Sequence, residues 1–260
     1  MSVAPDLPAW CRLVRAGNPG PMTLDGTNTY VVLGAAGNVV IDPGPMLEDH
    51  LRAVAALGPV TSAVLTHHHL DHSGGARRFH ELTGASVLAR DPSLCIDGEP
   101  LADDDVIVAG DQRLRVLHTP GHTADSICLV TEGPSRVLFT GDTVLGRGTT
   151  IVAHPDGSLG AYLASLDRLA ALVEGVEVMM LPGHGPAGAD AAQAIAAYQA
   201  HRRARLDQVR AALESGATSA MDVVRIVYAD VDRSVWPAAE ATVRAQLDYL
   251  GAAESEPGTA

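Results

Sequence analysis

The sequence predicts a mixed α+β fold that ends in a purely helical segment. Three observations carry that expectation. Short apolar or β-branched runs recur between Gly-rich turns up to residue 181, apolar residues at 47, 51, 54 and 57 repeat at helical spacing, and the composition turns Ala-rich beyond residue 188.

Residues 12 to 15, 27 to 33 and 37 to 41 read as strands, and the third runs into Ile41-Asp42-Pro43-Gly44. On its own an Asp before Pro-Gly is a turn former that holds its own backbone. A helix is expected over 47 to 57, followed by a buried strand over 60 to 65. A second helix is expected from about residue 71 to Leu82, with Asp71 and His72 in its first turn. Strands follow at 86 to 89, 105 to 108, 113 to 118, 126 to 130 and 136 to 139, then a helix over 162 to 173 and a strand over 176 to 181. Gly185-Pro-Ala-Gly188 suggests a boundary, dividing the chain into 1–187 and 188–260. Beyond it, Ile195, Tyr198, Leu206, Val209 and Leu213 form one helical stripe, 221 to 228 a short helix, and Ala239, Val243, Leu247 and Leu250 another stripe, with Pro237 in an acceptable first-turn position. The tail from Ala252 to Ala260 does not read as strand.

The chemistry is concentrated where the strand over 60 to 65 ends, in Thr66-His67-His68-His69-Leu-Asp71-His72. Four imidazoles and a carboxylate closing an apolar run are hard to explain as packing and read as a metal site. Three further pieces, Thr119-Pro-Gly-His122, Thr140-Gly-Asp142 and Leu181-Pro-Gly-His184, each set one good ligand beside a glycine at the end of an apolar run.

This set resembles the metallo-beta-lactamase superfamily, whose ligands run HxHxDH, His, Asp, His in that order. The resemblance implies a four-layered αβ/βα sandwich, with His67, His69 and His122 on one metal, Asp71, His72 and His184 on a second, and Asp142 bridging. It implies two zinc ions sharing a hydroxide, with Asp71 passing a proton onward, and places Asp42 beneath a ligand as its outer partner. His118 is expected to orient a neighbour, and His68 is a spacer. Thr149 and Thr150, in a Gly-rich loop after Asp142, are candidates to line the substrate cleft. His50, His80, His154 and His201 are expected to be surface or capping residues. Di-iron relatives carry Glu where His69 stands, which favours zinc, although imidazole-rich sites also accept manganese or iron.

Asn18 to Tyr30, Leu145 to Thr150, the helix at Tyr162 and Tyr198-Gln-Ala-His201-Arg202-Arg203 are similar to the lactamase-beta-2-like subfamily, with glyoxalase-II-like hydrolases as near relatives. The C-terminal helices are then expected to form a small winged-helix-like domain. Hydrolysis of small thioesters or related acyl substrates is the implied activity. Cleavage of single-stranded RNA is the alternative, and beta-lactam hydrolysis ranks below both.

Composition narrows the partners. The net charge is −13 and all 18 basic residues are arginine, so a phosphate backbone meets repulsion except at the cluster His201 to Arg205. No apolar run is long enough to span a bilayer and the first residues do not read as a secretory signal, so a cytoplasmic protein is expected. Cys11, Cys95 and Cys128 are scattered and are expected as buried thiols.

Overall fold

The computed structural model describes residues 5–133, 136–152 and 154–251. Its first half is a five-stranded sheet made by β1 (Cys11–Arg15), β2 (Asn28–Val32), β3 (Asn38–Ile41), β4 (Val60–Val64) and β5 (Ser86–Leu88), in that order. The first three strands are antiparallel, and β3, β4 and β5 are parallel. Helices α1 (Glu48–Ala55), α2 (Leu70–Ser73) and α3 (Ala76–Thr83) make the crossovers that parallel strands require.

The second sheet runs β10-β9-β8-β7-β6, from β6 (Val106–Ala109), β7 (Gln112–His118), β8 (Ile127–Thr131), β9 (Arg136–Gly141) and β10 (Val178–Pro182). Only β9 and β10 pair in parallel, and α4 (Leu159–Val173) connects them. Three further helices close the chain: α5 (Ala191–Glu214), α6 (Ala220–Val227) and α7 (Trp236–Leu250).

Alternation along the strands sorts the core into layers. Val39, Ile41 and Val64 face Leu114, Ile127, Leu129 and Phe139 of the other sheet. Val40 and Ala63 turn outward, under Leu51, Val54 and Phe79 of α1 and α3. On the far side Leu117, Cys128, Val130 and Leu138 lie beneath Tyr162, Leu166, Ile195 and Tyr198 of α4 and α5. These three clusters are the interfaces of a four-layered αβ/βα sandwich. The outermost one spans both sides of the boundary expected near residue 187, whereas Val209, Val223, Val243 and Leu247 form a cluster within the last helices.

The structure departs from the sequence reading in several places. The helix expected from 71 to 82 is two, because Gly75 donates to the carbonyl of Gly44 at 2.9 Å and a Cβ there would meet that same oxygen at 2.9 Å. The loop after β3 thus interrupts the helix and leaves α2 as a single turn. Helix α1 is shorter than the expected 47 to 57: Leu51 and Val54 of the stripe are buried, together with His50, whereas Leu47 and Leu57 lie outside the helical residues and are exposed. His50 is therefore no surface residue; its Nε2 lies 2.9 Å from Thr29 Oγ1. No strand occurs among the described residues of 191–251, and the tail 252–260 lies outside the described residues. Cys11 and Cys128 are buried, but Cys95 is only half-buried. None of the helices in the described residues is long and apolar enough to cross a membrane.

The long α5 reaches back to the loop after β9. Tyr198 Oη accepts from Leu145 N at 2.9 Å, while Tyr162 Oη on α4 donates to Thr143 O at 2.6 Å. Tyr198→Phe strands the buried Leu145 N–H, and the expected loss is about 1–2 kcal/mol of stability. Urea denaturation monitored by circular dichroism measures it; an unchanged midpoint would show that this bond does not hold the loop.

Candidate metal centre

The ligand candidates and their outer partner Asp42 stand just beyond the C-terminal ends of strands: Asp42 after β3, His67 to His72 after β4, His122 after β7, Asp142 after β9 and His184 after β10. One rim of the sandwich therefore collects them. Cross-sheet hydrogen bonds hold the rim together, since Asn28 Nδ2 donates to Pro182 O and Gly185 O, and Tyr30 Oη donates to Pro182 O.

Three overlapping groups of donors lie close enough to hold a cation: His67, His69 and His122; His67, His72 and Asp142; and Asp71, His72 and His184. His69 Nδ1 lies 3.1 Å from His67 Nε2 and 3.0 Å from His122 Nε2. His184 Nε2 lies 3.1 Å from His72 Nε2 and 3.0 Å from Asp71 Oδ2. Asp142 sits between the groups, with Oδ1 3.4 Å from His72 Nε2, and Oδ2 3.4 Å from His184 Nε2 and 3.8 Å from His122 Nε2.

Outer hydrogen bonds fix which nitrogen points inward for every ring except His69. His122 Nδ1 meets Ile151 O at 2.6 Å, His184 Nδ1 meets Gly26 O at 3.3 Å and His72 Nδ1 meets Asp42 Oδ2 at 2.8 Å. His67 Nδ1 meets Thr66 Oγ1 at 3.0 Å. Asp42 is fully committed, since it also accepts from Thr66 N and Thr66 Oγ1 at 2.7 Å each. It is buried and left-handed at φ 51°, a backbone state that for a non-glycine stores about 1–3 kcal/mol.

Such a donor set fits divalent cations. Ring nitrogens about 3 Å apart cannot all be donors, and Asp142 Oδ1 is buried without a hydrogen-bond partner. The space is kept open by Gly183, where a Cβ would meet Asp142 Oδ1 at 2.5 Å and His72 Cε1 at 2.7 Å. His67 and His122 are held below the ordinary imidazole range mainly by burial, and burial with the neighbouring His122 takes His69 down to about 4. Burial opposes charge on His72 too, but Asp142 and Asp42 outweigh it and push it up to about 9. For His184, burial is overcome by hydrogen bonds donated to Asp142 and Asp71, which push it up to about 10.

Other expected residues fall into different places. Thr150 is buried with Oγ1 3.2 Å from His122 Nδ1, whereas Thr149 is exposed; both line a cleft with His122 and Asp142. His118 Nε2 meets Ala124 O at 3.2 Å, within the loop that carries His122, and touches no ligand. His68 pairs with Asp125 at 2.8 Å. His80 Nδ1 meets Ala85 O beyond the end of α3, and His154 is exposed, but His201 is half-buried and lines a second cleft. Arg202 was absent from the expected site and is buried, donating through Nη2 to Thr150 O at 2.5 Å. The signal was present: position 202 falls in step with the apolar positions 195, 198, 206 and 209.

An αβ/βα sandwich with a histidine and carboxylate cage on its rim defines a candidate metalloenzyme class. Residues 22–184 match the family model described as the metallo-beta-lactamase superfamily, and residues 219–253 match the beta-lactamase associated winged helix domain. The beta-lactamase-like protein 2 homolog of Drosophila melanogaster is 32% identical over 262 residues, covering 90% of this chain and 85% of that protein. The atrochrysone carboxyl ACP thioesterase of Aspergillus chevalieri is 34% identical over 243 residues, covering 86% and 75%. Among solved structures, a metallo-beta-lactamase family protein from Thermus thermophilus is similar at a TM-score of 0.79 and 25% identity, over 93% of each chain. The chain belongs to the metallo-beta-lactamase superfamily and is a hydrolase.

Without cations, the His72–His184 pair keeps at pH 7 the protons it can hold, one of them shared between the facing Nε2 atoms, because the values of about 9 and about 10 lie above that pH. Their raised values stabilise the metal-free fold below the free imidazole value of 6.5, and that contribution is lost as pH rises through 9 to 10. Zinc must displace those protons, whereas His67, His69 and His122 are already neutral. Zinc titration at pH 7 in buffers of different ionisation heat is expected to show proton release that shrinks towards pH 10. Loading at pH 7 without proton release would contradict this electrostatic picture.

Proposed function

We propose that this chain is a dinuclear zinc hydrolase acting on thioesters or related acyl substrates of small size. One observation carries the reading: seven candidate ligand side chains fall into three overlapping groups close enough to hold cations, and among them Asp142 Oδ1 lies buried without a hydrogen-bond partner. His67, His69 and His122 would hold one cation, and Asp71, His72 and His184 the other, with Asp142 facing both. Imidazole nitrogens and carboxylate oxygens suit zinc, and manganese or iron would also be accommodated. When bound, two such cations acidify a water molecule and polarise an acyl carbonyl.

The remaining work falls to the chain itself. Asp71 Oδ2 is the ligand carboxylate nearer to solvent, with its side chain 27% exposed against 10% for Asp142. Burial works to raise its pKa, but the His184 hydrogen bond and His72 hold it below the ordinary carboxylate value. Asp71 can therefore take a proton from the reacting centre and pass it to solvent. Met22, Leu24, Leu145 and Ile151 line the cleft beside His122 and Asp142, which suits an apolar acyl chain and keeps bulk water from the scissile bond. The thioesterase name of a relative alignable over 86% of this chain supports the acyl class.

Side-by-side turnover of an acyl thioester, a chromogenic cephalosporin and a fluorescent single-stranded RNA by the zinc-loaded protein tests this reading. The thioester is expected to be preferred; preference for either of the others would replace the substrate class. Asp71→Ala is expected to keep the far-ultraviolet spectrum and to lower kcat by roughly 10²- to 10⁴-fold. Near-normal turnover by that variant would remove Asp71 from the proton path.

A further inference from the structure

A second cleft, of about 230 Å³, lies between the loop Thr149–Ile151 and the last helices. It shares Met22, Thr149, Thr150 and Ile151 with the cleft that holds His122 and Asp142, so the two clefts adjoin across that loop. Three basic residues of α5, His201, Arg202 and Arg205, line it, and no Asp or Glu is among its described lining residues. In a chain of net charge −13 that absence is informative.

Arg202 is the sole arginine among the described buried residues, at 2% exposure. A buried guanidinium ordinarily has a carboxylate partner, because its desolvation is otherwise uncompensated. Among the described residues Arg202 has no such partner: Nη2 donates to Thr150 O, the guanidinium lies over the Tyr162 ring at 4.9 Å, and Nε has no hydrogen-bond partner. Arg205 is similar, donating to Gln208 Oε1 at 2.8 Å and Val227 O at 3.1 Å, with its guanidinium 4.7 Å over Tyr228. His201 Nδ1 is likewise buried without a hydrogen-bond partner. Two guanidinium groups without a carboxylate partner and a His201 nitrogen without a hydrogen-bond partner thus converge on one cleft, and cations in the nearby cage would add to the positive field rather than cancel it.

We propose that this cleft is an anion subsite that takes the carboxylate or monophosphate end group of a small substrate whose acyl carbonyl lies at the ligand cage. Arg202 and Arg205 hold the end group, and the facing wall of Val231, Val235 and Ala239 takes an apolar stem. The proposal rests on the acyl-hydrolase reading of the cage and narrows its substrates to acidic ones. It also gives the C-terminal helices a role, since the three basic residues lie on α5 and the apolar wall lies beyond α6.

Binding without turnover tests it. Calorimetric titration of the zinc-loaded full chain compares hexanoate with hexanamide, and hexyl phosphate with hexanol. The charged member of one pair is expected to bind about tenfold tighter or more than its neutral partner. That ratio is expected to fall near one in Arg205→Gln and to return in part in Arg205→Lys. The pair that responds tells a carboxylate end group from a phosphate one. Equal binding within both pairs, absence of binding, or a charge preference that survives Arg205→Gln would overturn the subsite, the last because the anion would then sit on the zinc ions. Tighter binding of a single-stranded oligoribonucleotide than of hexyl phosphate, also lost in Arg205→Gln, would overturn the small-molecule assignment. Failure of thioester turnover alone would count against the hydrolytic reading and leave these binding results standing.

Discussion

Imidazole rings packed with their nitrogens about 3 Å apart repel unless something positive lies between them, and this constraint organises the rim of the protein. His67, His69 and His122 meet at 3.0 to 3.1 Å, and His72 meets His184 at 3.1 Å. Each ring except His69 has its other nitrogen bound to a named acceptor or hydroxyl, so the inward lone pairs cannot rotate away. The chain keeps these groups convergent through a strained Asp42 and a glycine at 183, both of which would be poor choices for packing alone.

The sandwich explains how residues so distant in sequence arrive together. Parallel and antiparallel strands from both sheets end on one rim, and the inter-sheet core of Val39, Ile41, Leu129 and Phe139 fixes the sheets face to face. The C-terminal helices are part of the same construction. Tyr198 and Arg202 of α5 grip the loop at Leu145 and Thr150, and that loop in turn supplies Ile151 O and Thr150 Oγ1 to His122. A change in α5 is therefore transmitted to a ligand through two hydrogen bonds.

Much of this was legible in the sequence because it is written locally. The strands that deliver the ligands, and the ligands themselves, come from short patterns of alternation, glycine and histidine. What was not legible depends on contacts between distant segments. The break at Gly75 requires the carbonyl of Gly44, and the burial of His50 goes with its contact to Thr29. In the sequence Arg202 reads as one member of the basic cluster His201 to Arg205, because charge alone does not say whether a helix face is covered. Its place in the phase of Ile195, Tyr198, Leu206 and Val209 is the clue that a reading by spacing would have kept. The four layers came from the family resemblance, since periodicity describes elements and not their stacking.

The acidic chain carries one cleft lined by His201, Arg202 and Arg205 and by no described Asp or Glu. Net charge −13 disfavours extended polyanions, while the arginines of α5 concentrate positive charge where a ligand could use it. All of this stands on the cage holding two cations. Zinc content per chain after equilibrium dialysis, measured by plasma mass spectrometry in the wild type and in His184→Ala, tests it most directly. Two zinc ions per wild-type chain and one in the variant are the expected result; one or none in the wild type would contradict it.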